Sequence, residues 1–223
     1  MTNEKKVHNA GFVRLLDVMG DDLKIVNAAR VSFGKKKDVF DEKDYDLMKY
    51  LVEHGHHSPF RHCKLTFHVK APIFVMRQWM KHRIDSEFNE ISGRYVNLEE
   101  AEFFVPEVFR KQAKVNKQGS EGKIEDSKYV RNDYLFACHN AFDRYELLIA
   151  QGVCREQARC VLPLALYTEV HWTCSLQALA HFLHLRLDSH AQKEIQDYAQ
   201  VCLELAEKAF PVALPLLMEN KHG

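Results

Sequence analysis

The chain has 223 residues, 46% of them hydrophobic, with 31 basic and 31 acidic side chains and a formal net charge of zero. That size and apolar content suffice for one core-forming domain, and the charge balance lacks the basic excess of a duplex-binding protein. No apolar run approaches the roughly 20 residues that span a bilayer, and no charged start precedes an apolar stretch at the N-terminus. A soluble, cytoplasmic protein with no nucleic-acid or membrane partner is therefore expected. The six cysteines (Cys63, Cys138, Cys154, Cys160, Cys174, Cys202) form no C-x-x-C pair, which argues against a zinc knuckle, a redox motif or a disulfide framework and leaves free, mostly buried thiols.

In chain order, Phe12, Val13, Leu15, Leu16 and Val18 predict a strand over Gly11 to Met19, and Asp21 or Asp22 N-caps a helix running to about Ser32. A charged loop follows at residues 34–38. A helix from about Lys43 carries Leu47, Tyr50 and Leu51 on one face and stops at Gly55. Cys63 to Ala71 alternates Leu65, Phe67 and Val69 against polar neighbours, the period of a strand. Pro72 opens a helix with an apolar stripe of Ile73, Met76 and Met80 and a polar face of Gln78, Lys81 and His82 at its C-terminal end.

Residues 83–97 read as a polar loop and residues 111–128 as an exposed excursion. Leu135, Cys138, Phe142, Tyr145 and Leu148 predict a long amphipathic helix over Tyr129 to Ile149. A short helix over Arg155 to Leu162, a strand over Leu166 to Trp172 and a helix carrying Leu176, Leu179, Ala180, Leu183 and Leu187 follow. Ser189 and Gln192 match the S-x-x-Q capping box of a last helix with Ile195, Tyr198, Cys202 and Leu205 inward. Non-tandem strands among several helices, with no glycine-rich dinucleotide fingerprint, predict one α+β domain over residues 1–223, its helices packed on a small, mostly antiparallel sheet.

Two polar clusters stand out. The first is Gln78-Trp79-Met80-Lys81-His82-Arg83 with Asn89-Glu90-Ile91-Ser92-Gly93-Arg94-Tyr95, where a glycine permits close backbone approach to an anion and arginine supplies a fork matching phosphate oxygens. A charged surface loop is by itself usually just solvated. The second is Leu185-Arg186-Leu187-Asp188-Ser189-His190-Ala191-Gln192, read either as a capped turn with Arg186 paired to Asp188 or as a helix start and a cation placed for a developing anion.

These segments resemble the flavin-dependent thymidylate synthases, whose signature is R-H-R-x-x-S-x-N-E-x-S-x-R-Y. The resemblance extends to Gly11-Phe12-Val13, Ala28 to Ser32, His54 to Phe60, Phe67 to Pro72 and Ala158 to Pro163, so it covers nearly the whole chain. Lys81 replaces the first arginine of the triplet, keeping charge and losing bidentate geometry. Eight residues rather than seven separate Arg83 from Ser92, with Glu87-Phe88 in place of one residue, and a local bulge is expected there. Arg61 replaces a common glutamate, Ser175-Leu176-Gln177 stands where many members have Asn-x-Arg, and His181 where many have asparagine.

The resemblance implies FAD as cofactor, with NADPH and 5,10-methylenetetrahydrofolate as co-substrates, dUMP as substrate, and a homotetramer with shared active sites. It assigns Gln78, Trp79, Met80, Lys81, Glu90, Ile91, Ser92, Gly93, Arg94, Arg159 and Arg186 to dUMP, with Arg94 and Arg159 directed at the phosphate. It assigns His56, Ser58, Lys81, His82, Arg83, Asn89, Glu90, Ser175, Gln177, His181 and His190 to FAD. Arg186 is the catalytic candidate: a guanidinium stays protonated, so its role is electrostatic stabilisation of the pyrimidine. Ser92 has no paired base and is read as a hydrogen-bond partner of the nucleotide rather than a nucleophile.

Two other readings compete. The thirteen histidines, including His54, His56, His57 and His62 with His181, His184 and Asp188, suggest a metalloenzyme, but no H-E-x-x-H or C-x-x-C spacing supports one and no metal is expected. A flavin- and nucleotide-binding homologue without turnover is the other.

Overall fold

Strand β3 (Lys64–Pro72) buries every second side chain: Leu65, Phe67, Val69 and Ala71 are fully enclosed, while Thr66, His68 and Lys70 face the other way. In the computed structural model, which describes residues 3–96, 102–115 and 119–220, this strand is the centre of a five-stranded antiparallel sheet. Its flanks are β2 (Gly11–Met19) and β7 (Tyr167–Ser175); β1 (Glu4–Val7) and β4 (Ser86–Glu90) form the edges, giving the order β1-β2-β3-β7-β4. The fold is α+β, as the sequence predicts.

The apolar face of the sheet is covered by helices. These are α1 (Asp22–Arg30), α2 (Glu42–Glu53), α3 (Ser58–Arg61), α4 (Ile73–Trp79), α7 (Leu176–Arg186), α8 (Lys193–Ala206) and α9 (Ala213–Glu219). Ile195, Tyr198, Cys202 and Leu205 of α8 point inward, as their spacing predicts. At the centre Trp79 stacks on Phe182 at 4.7 Å and meets Trp172 edge-on at 5.3 Å, while Trp172 Nε1 donates to Ser86 Oγ at 2.8 Å. Gly11 lets Tyr198 approach the sheet: a Cβ there would lie 2.0 Å from its hydroxyl, which donates to the Lys70 carbonyl.

The remaining elements sit outside this core. A hairpin of β5 (Arg110–Gln112) and β6 (Ser120–Lys123) precedes α5 (Ser127–Ala150), and α6 (Arg155–Ala158) follows. Helix α5 buries only Cys138 and Tyr145, packing through Cys138, Tyr134 and Phe142 onto a small cluster with Phe103, Ala165 and Leu166; Tyr129 and Phe136 remain about 70% exposed. No helix of the described residues is long and apolar enough to cross a membrane.

Several local expectations are corrected. The loop expected over residues 83–97 contains β4, paired in unbroken register with β7 from Ser86 opposite Cys174 to Glu90 opposite Val170. No bulge occurs at Glu87-Phe88; the unusual backbone is Asp85, at φ +53° immediately before the strand. Helix α4 ends at Trp79, so Lys81 and His82 lie in the following turn. Its buried face is Val75, Met76 and Trp79. Tyr50 is exposed, and α2 buries Asp44, Met48, Leu51 and Val52 instead. Ser189 caps nothing: Ala191 N bonds the Asp188 carbonyl, and α8 begins after Gln192. Of the cysteines, Cys154 and Cys160 are exposed and the other four buried. Part of the excursion expected at residues 111–128 is the exposed hairpin, and residues 116–118 lie outside the described residues.

Candidate active site

The pairing of β4 with β7 fixes the geometry of the site. Ser175 N donates to the Asp85 carbonyl at one end of the pair, and Ile91 N to the Glu169 carbonyl at the other. A cavity opens at each end, separated by the length of β4, roughly 16 Å at about 3.3 Å per residue.

The smaller cavity, about 310 Å³, is lined by Glu90, Ile91, Ser92, Gly93 and Arg159 against an apolar wall of Ile73, Leu162 and Leu166. Thr168 Oγ1 donates to Glu90 Oε1 at 2.7 Å and so orients that carboxylate. The backbone N–H of Arg94 donates to Ser92 Oγ, and its guanidinium pairs with Glu156 at 3.2 Å in an adjoining hollow with Tyr95 and Gly152. Five residues assigned to dUMP from the sequence thus meet in one place, with Arg94 at its margin.

The larger cavity, about 370 Å³, lies at the opposite end of the strand pair. Four of its lining side chains, Arg61, Lys81, Arg83 and Arg186, are cationic, against one acid, Asp85. Burial opposes ionisation of Asp85, but the Lys64 ion pair, the Ser175 hydroxyl and the Arg61 charge together outweigh this and hold the carboxyl below its ordinary range. Ser175 is fully buried: its N–H is spent on the Asp85 carbonyl, and its hydroxyl caps α7 by accepting from Ala178 N at 3.1 Å and bonds the Asp85 carboxylate. Gln177 interacts with His57 and Asp85 with Ser175, yet the buried Gln177 Oε1 and Asp85 Oδ2 have no hydrogen bond of good geometry among the described residues. Such groups are costly without a partner. With Ile84, Ala178 and Leu185 as apolar wall, this donor and acceptor set fits a flavin nucleotide, whose phosphates match the cations and whose ring matches the Gln177 amide beside His57 and the apolar surface.

Arg186 closes this cavity from the C-terminal end of α7. Its Nε donates to His82 Nε2 at 2.9 Å and its Nη2 to the main-chain carbonyl of Gln78 at 3.1 Å. It therefore faces the turn after α4 rather than forming the local capped turn with Asp188. Because guanidinium is donor-only, His82 must accept at Nε2 and carry its proton on Nδ1. Burial, then Arg186 and His181, push the His82 pKa down to about 4, so the ring is neutral at physiological pH.

The other assigned residues are dispersed. Trp79 is locked in the core, its carbonyl accepting from His82 N at 3.0 Å, and Met80 packs against that core. His56 stacks with Tyr50 and His54 outside both cavities, while Ser58 is exposed at the start of α3. Asn89 is exposed on β4, and His190 is an exposed partner of Asp188, its backbone N–H donating to the carboxylate and Nδ1 lying 2.8 Å from it. From the segment singled out around Ser58, the structure selects His57 and Arg61 for the larger cavity. Their i, i+4 spacing on the turn of α3 is the signal that picks them out. Asp85 and Thr168 carried no comparable signal. The histidines do not converge, and no group of three His, Cys, Asp or Glu able to hold a metal occurs among the described residues; His184 instead bonds the Leu217 carbonyl.

Both the sequence and the fold of this chain match known proteins. The family model for thymidylate synthase complementing protein matches residues 14–212. Flavin-dependent thymidylate synthase from Thermus thermophilus is 51% identical over 214 residues, covering 96% of this chain and 78% of that protein. The enzyme of that name from Thermosipho africanus is 49% identical over 199 residues, covering 88% and 86%. Among solved structures, a UMP/dUMP methylase, PolB from Streptomyces cacaoi bound with 5-Br dUMP, superposes with a TM-score of 0.86 at 33% identity, covering 97% of this chain and 99% of that one. The chain belongs to the flavin-dependent thymidylate synthase family.

Proposed function

We propose that this protein methylates dUMP at C5 to give dTMP, with 5,10-methylenetetrahydrofolate as carbon donor and NADPH-reduced FAD as electron source. Tetrahydrofolate and NADP+ are the other products. The observation that carries the reading is the pairing of two chemically distinct cavities on one strand pair: Ser92, Gly93 and Arg159 at one end, four cations with the Gln177 amide at the other. FAD, once reduced by NADPH, would supply the reducing equivalents that turn a methylene into a methyl group. The protein's own residues bind, orient and polarise.

In this reading Arg159 and Arg94 hold the nucleotide phosphate beside the Ser92-Gly93 backbone, where glycine allows close approach. Glu90, held by Thr168, sits between substrate and flavin. Arg186 stabilises negative charge on the pyrimidine, which makes C5 a better nucleophile without a covalent cysteine adduct. Lys81, Arg83 and Arg61 take the flavin phosphates, and Gln177, His57 and His181 the remaining contacts.

The same geometry argues for an oligomer. Lys81 and Arg186 belong to one end of the strand pair and Ser92, Gly93 and Arg159 to the other, roughly 16 Å apart along β4 and so too far for one small nucleotide to bridge within a protomer. A flavin dinucleotide likewise exceeds a cavity near the low end of the usual range of about 300–1,000 Å³. We infer a homotetramer in which neighbouring copies of this single catalytic domain complete each site, with α5 and its exposed Tyr129 and Phe136 at an interface. A cytoplasmic location follows from the nucleotide and pyridine cofactors this chemistry consumes.

The test is anaerobic reaction of FAD-loaded protein with NADPH, dUMP and methylenetetrahydrofolate, assayed for dTMP. Product that requires all components supports the reading. Bound FAD without dTMP marks a homologue lacking turnover.

A further inference from the structure

Glu194 lies in the first turn of α8, only 5% exposed, and belongs to neither cavity. Its Oε1 accepts from Arg110 Nη2 at 2.6 Å, and Arg110 begins β5 of the otherwise exposed hairpin. Its Oε2 accepts from Gln192 Nε2 at 2.9 Å, and Gln192 Oε1 in turn accepts from Gln78 Nε2 at 2.6 Å. Gln78 is also the residue whose main-chain carbonyl holds Arg186.

We propose that Glu194 is a positioning residue for nucleotide binding: with Arg110 as counter-ion, it acts through Gln192 to fix which end of the Gln78 amide faces the substrate. This rests on the placement of Gln78 in the nucleotide site. An amide has a donor end and an acceptor end of nearly equal shape, so nothing steric decides between the two orientations. A carboxylate decides, because it only accepts. Gln192 must turn its NH2 to Glu194 and its carbonyl to Gln78, and Gln78 must answer with its own NH2. One N–H and the carbonyl oxygen of Gln78 are left, in a defined sense, for a ligand. Burial works against the Glu194 charge, but Arg110 and Gln192 outweigh it and hold the carboxyl below its ordinary range, which keeps the polarity of the chain fixed at neutral pH. The hairpin thereby contributes to the site without touching substrate.

A merely structural role, tying the hairpin to α8, requires an ion pair but no particular amide polarity. The dissociation constant of dUMP on the FAD-loaded holoenzyme separates the two in a double-mutant cycle of Glu194→Gln and Gln78→Ala. Each single variant is expected to weaken dUMP by roughly five- to tenfold, the worth of one ordinary to strong hydrogen bond, and the double variant to bind no more weakly than Gln78→Ala alone. Gln192→Met, which keeps the ion pair and cuts the relay, is expected to match Glu194→Gln and serves if the latter does not fold. Equal weakening by Glu194→Gln with and without Gln78 would overturn the relay. So would unchanged dUMP binding in Glu194→Gln and Gln192→Met beside a weakened Gln78→Ala, which leaves Gln78 in the nucleotide site. If Gln78→Ala itself binds dUMP normally, the placement of Gln78 fails and the relay with it.

Discussion

The Nε–H of Arg186 donates to Nε2 of His82 at 2.9 Å, joining the end of α7 to the turn after α4 across the larger cavity. The contact exists only while His82 is neutral, because a protonated imidazole has no acceptor to offer. His82 therefore reports on the integrity of this corner through pH.

With its folded-state value pushed down to about 4 by burial, Arg186 and His181, His82 lies below its ordinary 6.5. Between those values the unfolded chain binds a proton that the folded chain does not, so stability falls as pH drops from about 6.5 towards 4. Replacing His82 with Gln removes this proton linkage. Thermal melts across that window should show a shallower pH dependence in the variant than in the parent; identical slopes would mean that His82 is not held neutral.

Arg186→Ala should lower kcat by about 10²–10³-fold, the usual loss for one preorganised donor at a developing anion. Arg186→Lys keeps the charge but cannot hold His82 and the Gln78 carbonyl together, so a substantial loss is expected there as well. Single-turnover formation of dTMP is the measurement.

Asp44 is fully buried, pairs with Arg30 and Lys37, and completes the capping box of α2 by accepting from Asp41 N at 2.8 Å. Asp44→Asn leaves the largely enclosed Arg30 cation without its counter-charge, a loss of about 3–5 kcal/mol for breaking a buried pair. Since roughly 2–4 °C accompanies each kcal/mol in a domain of this size, Tm should fall on the order of 10 °C. Calorimetry on the parent and variant checks it.

Lys81→Arg restores the family triplet at an exposed position. It should leave Tm within the small range of surface substitutions, about 0.5 kcal/mol, and hold nucleotide or flavin at least as tightly, which ligand titration will show.

The elements legible in the sequence are those with one strongly buried face. β3 alternates cleanly because Leu65, Phe67 and Val69 all point into the core, and α8 shows its inner stripe for the same reason. β4 escaped because its inward positions are Ser86, buried to serve the Trp172 indole, and a single apolar Phe88; the strand is defined by its partner β7 rather than by its own pattern. β1 escaped because it is a short, charged edge, with Lys5 paired to Glu204. α9 escaped because Pro215 reads as a breaker, although it lies in the first turn, where a missing N–H costs little, and buried Asp22 accepts from the Val212 and Ala213 N–H groups there. The capping box at Ser189 misled because Gln192 spends its side chain on Gln78 and Glu194.

In the candidate site, Ser92 and Gly93 stand in a polar motif that the sequence shows by itself, and Arg159 comes from the family resemblance; the structure brings the three to one cavity. Glu194, Arg110 and Asp85 were not legible, because each acts through a partner distant in sequence, 84 residues in the case of Arg110 and Glu194. The separation of the two cavities depends on the pairing of β4 with β7, which the pattern of β4 alone does not specify.

The most direct test of the central claim is tritium release from dUMP labelled at C5, since attaching a methyl group there must expel the C5 hydrogen. FAD-loaded protein given NADPH and methylenetetrahydrofolate should release tritium to water in step with dTMP formation, and only when all three are present. A flavin-loaded protein that binds dUMP yet releases no tritium, or a protein that takes up no flavin, would contradict it.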